Sequence, residues 1–210
     1  MSTSTCPELS AGALRLALRP DLGGVIAGLW FDTLPVLRST EPGDLERARL
    51  AGCYPLVPYS NRLGQRRFTW KGRSYETRAN ADGEAHSLHG VGWQRAWQVT
   101  EAGVDRAVLE LTHPSDGDWP FAFHARQTFE LAPDALKVSM TVTNIDARIA
   151  PMGLGWHPYF PKRERSRIHL EVAARWEADA SKLPVRSVSQ HGVDAAVAVL
   201  NLDNCFDGWR

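Results

Sequence analysis

Apolar and polar residues alternate with a period of two along most of this chain. In 121-FAFHARQTFEL-131 the residues Phe121, Phe123, Ala125, Phe129 and Leu131 share one face, interrupted only by Gln127. After the turn signal 132-APDA-135, the run 136-LKVSMTVTN-144 puts Leu136, Val138, Met140 and Val142 on one face. Two alternating runs around a Pro-Asp turn predict an antiparallel hairpin. A third run, 168-IHLEVAARW-176, reads as one strand with Ile168, Leu170, Val172, Ala174 and Trp176 on one side. Segments 67-RFTWKGRSYET-77 and 97-WQVTEAGVDRAVLELTH-113 read as hairpins about Lys71-Gly72 and near Gly103. Such regular alternation is expected where one sheet face meets a core and the other meets solvent. The one helical candidate is 44-DLERARL-50, with Asp44 as N-cap and Gly52 as stop. No fixed-period repeat and no low-complexity linker is visible. The fold class is therefore all-β and antiparallel, a large sandwich in preference to a closed barrel, although alternation by itself does not separate the two.

At 210 residues the chain suits a single domain, 1–210, with room for a substantial core. Lys plus Arg and Asp plus Glu are balanced at 24 each. Such balance argues against a nucleic-acid or anionic-membrane surface, which normally carries a basic excess. The N-terminus lacks a basic segment followed by an apolar run, and no stretch approaches the roughly 18 apolar residues of a membrane span. Cys6, Cys53 and Cys205 are odd in number and far apart. They read as free thiols of a reducing cytoplasm. The eight tryptophans suit a core and also the flat apolar faces of sugar rings.

Three stretches break the alternation and combine Gly or Pro with reactive side chains. In 55-PLVPYSNRLG-64, Asn61-Arg62 follows two prolines. The arginine fork matches sugar hydroxyls or a carboxylate, while a solvated Arg on a surface turn is the plainer reading. In 80-NADGEAHSLHGVGW-93, His86 and His89 stand three apart before Gly90, Gly92 and Trp93. A metal site would need further ligands at recognisable spacing, and Val91 to Arg95 supply none. The glycines are read as letting a substrate approach the backbone. In 153-GLGWHPYFP-161, His157 stands among Trp156, Tyr159 and Phe160 and is followed by prolines. A packed core histidine and a proton donor aimed into an aromatic pocket both fit it.

Taken together and in order, PYSNR, HSLHGVGW, GWHPYF and LDNCF (residues 202–206) resemble the aldose 1-epimerase, or galactose mutarotase, family from about Gly23 to the last residue. The resemblance implies a galactose-mutarotase-like β-supersandwich with an open, cofactor-free cleft for a small-molecule sugar. On the matching motifs, Arg62 with Asn61 binds sugar hydroxyls and His89 lies near the ring oxygen. His157 is the general acid, Asp203 bonds hydroxyls on the opposite wall, and Trp93 and Phe160 are pocket walls. The family's base is a glutamate well beyond the LDNCF motif. The chain ends at 206-FDGWR-210, so that position has no counterpart, and neither Glu164 nor Asp207 matches it. The expectation is a sandwich incomplete at the C-terminus, with uncovered sheet edges that invite self-association. A truncated epimerase is preferred to a chain completed by a partner or a binding-only relative. Unphosphorylated aldohexose is preferred to a hexose 6-phosphate, since Arg66, Arg67, Lys71 and Arg73 alternate along a hairpin and form no clear clamp.

Overall fold

The alternating runs pair as antiparallel ladders in the computed structural model, which describes residues 6–210. The chain divides after Pro161, the second unit being Lys162–Arg210.

In the first unit, β1 (Glu8–Ala11), β2 (Leu14–Arg19), β3 (Val25–Phe31) and β5 (Cys53–Leu56) run side by side, and the short β4 (Leu34–Pro35) pairs with β3. The pairs β6 (Arg62–Leu63) with β9 (Ser87–Leu88), and β7 (Arg67–Trp70) with β8 (Arg73–Glu76), lie outside this sheet. The β7–β8 hairpin turns at Lys71-Gly72, where both residues have positive φ. That conformation matches the twist of the flanking strands. A second sheet runs β10 (Gln98–Ala102), β11 (Arg106–His113), β12 (Phe123–Ala132) and β13 (Ala135–Asn144). The chain then returns to the first sheet as β14 (Gly155–Pro158), beside β5. The expected hairpins at 67–77, 97–113 and 121–144 are all present.

The two sheets share one core. Leu14, Leu16 and Leu18 of β2 and Ile26 and Leu29 of β3 pack with Leu109 and Leu111 of β11 and Phe123, Ala125 and Phe129 of β12. Burying each of the larger side chains contributes about 1.5–3 kcal/mol. A bulge opposite Ala17 and Leu18 shifts the register of β3, so Ile26 and Leu29 reach the same face despite their odd spacing.

The opposite face of the first sheet does not meet solvent, contrary to the simple alternation. Val25, Ala27 and Trp30 pack there with Leu45, Ala48, Tyr54, Leu56 and Trp93. The cover includes the segment expected to be helical. It forms two 3₁₀ turns instead, Pro42–Asp44 and Ala48–Leu50, with Leu45 and Arg47 extended. Seven residues are too few to sustain an isolated helix, and extension lets both Leu45 and Ala48 reach the sheet.

The second unit is also all-β. The run 168–176 is not one strand. It splits into β15 (Arg167–Leu170), which pairs with β18 (Val193–Ala196), and β16 (Ala174–Ala178), which lies between β17 (Pro184–Ser189) and β19 (Cys205–Asp207). The break falls where the backbone of Val172 and Ala173 bonds elsewhere. Gly192 N–H donates to the Val172 carbonyl at 3.2 Å, and Ala173 N–H donates to the Asp207 carbonyl at 3.0 Å. Among the described residues, no helix is long and apolar enough to cross a membrane.

Candidate functional site

The covered face of the first sheet carries a cluster of five rings. It starts from strand register. Strand β14 pairs with β5 so that His157 stands opposite Tyr54, and Trp156 opposite Pro55. Side chains alternate along a strand, so Trp156 turns to the sandwich core while His157 turns to the second face. Pairing continues past Pro158: Tyr159 N–H donates to the Gly52 carbonyl at 2.8 Å, and Arg38 N–H donates to the Tyr159 carbonyl at 2.7 Å. Tyr159 therefore follows His157 onto the same face. The imidazole lies near-parallel to Tyr54 at 4.8 Å and to Tyr159 at 4.7 Å between ring centroids.

His89 is brought in by the HSLHGVGW loop, which folds onto the Val57-Pro58 segment. Val91 and Gly92 N–H both donate to the Val57 carbonyl, at 2.9 and 3.0 Å. Gly90 has φ +70°, and a Cβ there would lie 2.1 Å from the Val57 oxygen. The glycine thus admits the chain's own backbone, which corrects the expectation that it makes room for a substrate.

Beyond that contact, His89 and Asn61 clasp each other. His89 N–H donates to the Asn61 carbonyl at 2.9 Å, and Asn61 N–H donates to His89 Nδ1 at 3.1 Å. An Nδ1 that accepts leaves the proton of the neutral ring on Nε2. The two imidazoles meet edge to face, 5.4 Å apart at 79°.

Burial, followed by the charges of His157, Arg62 and Arg49, pushes the His89 pKa down to about 4. His89 is therefore a neutral Nε2–H donor at neutral pH. Burial, with the neighbouring Tyr159 hydroxyl at 3.4 Å, pushes the Tyr54 phenol well above its ordinary value, so it too stays protonated. Arg62 lies beside Asn61, with Nη1 3.4 Å from the Asn61 side-chain oxygen and Nη2 3.6 Å from Glu84. Its Nε is buried and has no hydrogen-bond partner among the described residues.

The structure thus brings His89, His157, Asn61 and Arg62 together. Trp93 stands behind them, 7% exposed and 5.8 Å from Tyr54, with its indole N–H on the Leu88 carbonyl at 3.3 Å. Phe160 lies elsewhere. It is 69% exposed and shares an apolar cavity of about 390 Å³ with Ile26, Leu136, Val138 and Trp156, toward the sandwich core. Asp203 is an exposed residue of the second unit, in the segment before β19.

His86 is buried, and its Nδ1 accepts the Gln65 N–H at 2.9 Å. Among the described residues, no three His, Cys, Asp or Glu side chains gather as a metal-holding group. Sequence reasoning missed Tyr54 and Arg38 and gave Tyr159 no role of its own. Arg38 stacks over Tyr159 at 3.8 Å and donates to the carbonyls of Arg49 and Ala51. Tyr159 was visible in the sequence only as one of the aromatics around His157, with period-two spacing that puts it on the same face.

Two imidazoles, one a neutral donor, beside an arginine that carries a fork of donors can address several oxygens of one small polyol. Known proteins share the family and the fold. The family model described as Aldose 1-epimerase matches residues 6–209. The Escherichia coli (strain K12) protein YphB, itself described as uncharacterized, is 40% identical over 172 residues, covering 82% of this chain and 57% of YphB. YihR from the same organism is 27% identical over 139 residues, covering 66% of this chain and 44% of its own length. The chain spans about half the length of these curated relatives. A crystal structure from Escherichia coli K12, of a protein provisionally named an aldose 1-epimerase, matches with a TM-score of 0.89 and 36% identity, over 98% of this chain and 70% of that one. A galactose mutarotase-like protein from Clostridium acetobutylicum matches in fold, with a TM-score of 0.73 and 22% identity, over 87% of this chain and 60% of that one. The ordered motifs, the antiparallel fold and a family match running almost end to end agree: the chain belongs to the aldose 1-epimerase family.

Proposed function

We propose that this protein is a mutarotase, interconverting the α and β anomers of an aldohexose by acid–base opening and reclosure of the hemiacetal ring. The observation that carries this reading is the meeting of His89 and His157 at 5.4 Å beside Asn61 and Arg62.

Ring opening needs a proton delivered to the ring oxygen and another removed from the C1 hydroxyl. The open aldehyde rotates about C1–C2 and closes on its other face, returning both protons. Paired acid and base groups at hydrogen-bond reach suffice for both half-steps. His157 is assigned as the acid that protonates the ring oxygen, and the C1-hydroxyl proton passes to solvent water, which returns it on reclosure. His89, neutral with its proton on Nε2, is assigned as a hydrogen-bond donor that orients the ring oxygen. Arg62 and Asn61 hold hydroxyls and fix the sugar for transfer. Asp203 is assigned to further hydroxyls on the family motif alone, and Trp93 supports the wall from behind Tyr54.

The family match from 6 to 209 supports treating both units as parts of one epimerase domain. The three free cysteines suit a reducing compartment, and burial pushes the Cys53 thiol up to about 12.

Polarimetry of freshly dissolved α-D-glucose and α-D-galactose, with buffer and His157→Asn as controls, tests the proposal. The expected result is acceleration that disappears in the variant while the circular dichroism spectrum is kept. Acceleration preserved in His157→Asn would sink the acid assignment. Sugar binding without anomer exchange would favour a binding-only relative.

A further inference from the structure

Tyr54 is 3% exposed and occupies the centre of the ring cluster. It contacts His157 at 4.8 Å, Trp93 at 5.8 Å, His89 at 6.0 Å and Tyr159 at 6.1 Å. Among the described residues it is the one ring in contact with both imidazoles and with the tryptophan behind them.

The arrangement around His157 is one-sided. Rings on opposite faces of one imidazole, each about 3.5 Å from its plane, would stand at least about 7 Å apart. Tyr54 and Tyr159 are 6.1 Å apart, so both back the imidazole from the same side. His89 meets it edge to face. The ring torsion of a histidine is broad and soft. A plate on one side together with an edge contact converts that soft torsion into one orientation.

The plate is itself held from below and behind. Cross-strand pairing fixes Tyr54 opposite His157, the Tyr54 and Tyr159 hydroxyls are 3.4 Å apart, and Arg38 caps Tyr159 at 3.8 Å. The phenol stays protonated at neutral pH, so its contribution is a flat neutral surface.

We propose that Tyr54 is a positioning residue that sets the ring orientation of His157 and its separation from His89. The proposal rests on the acid–base reading above, and it assigns the effect to the aromatic plate instead of the hydroxyl. Tyr54→Phe keeps the plate, whereas Tyr54→Leu keeps much of the volume and removes it.

The test uses the full chain. The ring protons of His89 and His157 are assigned by NMR with His89→Gln and His157→Asn, then followed in wild type, Tyr54→Phe and Tyr54→Leu, with thermal melts to establish folding. Wild type and Tyr54→Phe are expected to share ring-proton shifts and a His89–His157 ring cross-peak. Tyr54→Leu is expected to lose the cross-peak and move the His157 shifts. In anomer exchange, Tyr54→Leu is expected to lower kcat about ten- to a hundred-fold with KM within about two-fold, and Tyr54→Phe to rescue it.

A folded Tyr54→Leu that keeps the cross-peak, the shifts and kcat overturns the proposal. If that variant does not fold, Tyr54→Met, whose side chain adapts to irregular space, carries the same comparison. A wild-type chain that leaves anomer exchange at the buffer rate counts against the mutarotase reading; the ring cross-peak then decides the role of Tyr54 by itself.

Discussion

Trp156 and Gln127 join the two sheets through the core: the Trp156 indole N–H donates to Gln127 Oε1 at 3.2 Å. The same amide donates through Nε2 to the Gly24 carbonyl at 3.1 Å, and Gln127 is 1% exposed. The residue that interrupts the apolar face of β12 is therefore a satisfied buried amide linking β12 to β3's approach and to β14.

Replacing Gln127 by Leu strands the Gly24 carbonyl and the Trp156 indole N–H together. Leaving a buried polar group unsatisfied costs about 1–3 kcal/mol. We expect Gln127→Leu to lose about 2 kcal/mol or more in urea denaturation, although the substitution makes the strand more apolar. Since Trp156 precedes His157, anomer exchange is expected to fall with it. A variant as stable as wild type would show that the amide link is dispensable.

His89 gives the fold a pH dependence of definite sign. Its folded pKa, about 4, lies below the ordinary 6.5 of an unfolded histidine. Between those values the unfolded chain binds a proton that the folded chain refuses. Stability from this group is thus complete above pH 6.5, falls as pH drops toward 4, and levels below that. The slope is at most about 1.4 kcal/mol per pH unit. Carboxyls with lowered values, among them Asp21, Glu41 and Asp116, lose their contributions in a more acidic window and do so in any variant. Urea denaturation at pH 7 and pH 5, for wild type and His89→Gln, isolates the effect. The wild type should lose more stability than the variant, and equal losses would contradict the neutral assignment of His89.

The sandwich was legible because period-two alternation is local. It reports which side of a strand meets a core without reference to distant residues, and the β12–β13 hairpin follows from sequence alone. Alternation did not report that the first sheet is covered on both faces; the signal for that lies in the continuous apolar run of β3, whose residues from Val25 to Trp30 are buried on either side. Nor could alternation show that 168–176 serves two sheets, because the break lies in bonds made to residues 190–192 and 207. Of the site, His89, His157, Asn61 and Arg62 were visible through motifs. Tyr54 was not, because its role depends on a register between strands about a hundred residues apart. Arg38 was hidden for the same reason: its partners are backbone carbonyls, which every residue carries.

Gly90 is the position at which the site is least tolerant of a side chain. Its φ of +70° disfavours any L residue, and the added Cβ would meet the Val57 oxygen at 2.1 Å. The conformational penalty alone is about 1–3 kcal/mol, and the clash adds to it. We expect Gly90→Ala to lower stability by at least about 2 kcal/mol and to separate His89 from Asn61. The His89 and Asn61 amide resonances should move together in an NMR comparison. A variant with unchanged resonances would show that the loop keeps its geometry despite the added Cβ, and would overturn the expectation.

Arg38 ties three segments with one guanidinium. Nε and Nη2 donate to the Ala51 carbonyl at 3.1 and 2.6 Å, Nη2 also donates to the Arg49 carbonyl at 2.6 Å, and the plane stacks on Tyr159 at 3.8 Å. A lysine supplies the charge but neither the planar fork nor the stacking surface. Hydrogen bonds from charged donors contribute about 1.5–3 kcal/mol each, and partial exposure reduces that here. We therefore expect Arg38→Ala to cost about 2 kcal/mol in chemical denaturation and Arg38→Lys to recover less than half of it. Full recovery by lysine would mean that charge alone holds the Ala48–Leu50 turn, and that Tyr159 needs no cap.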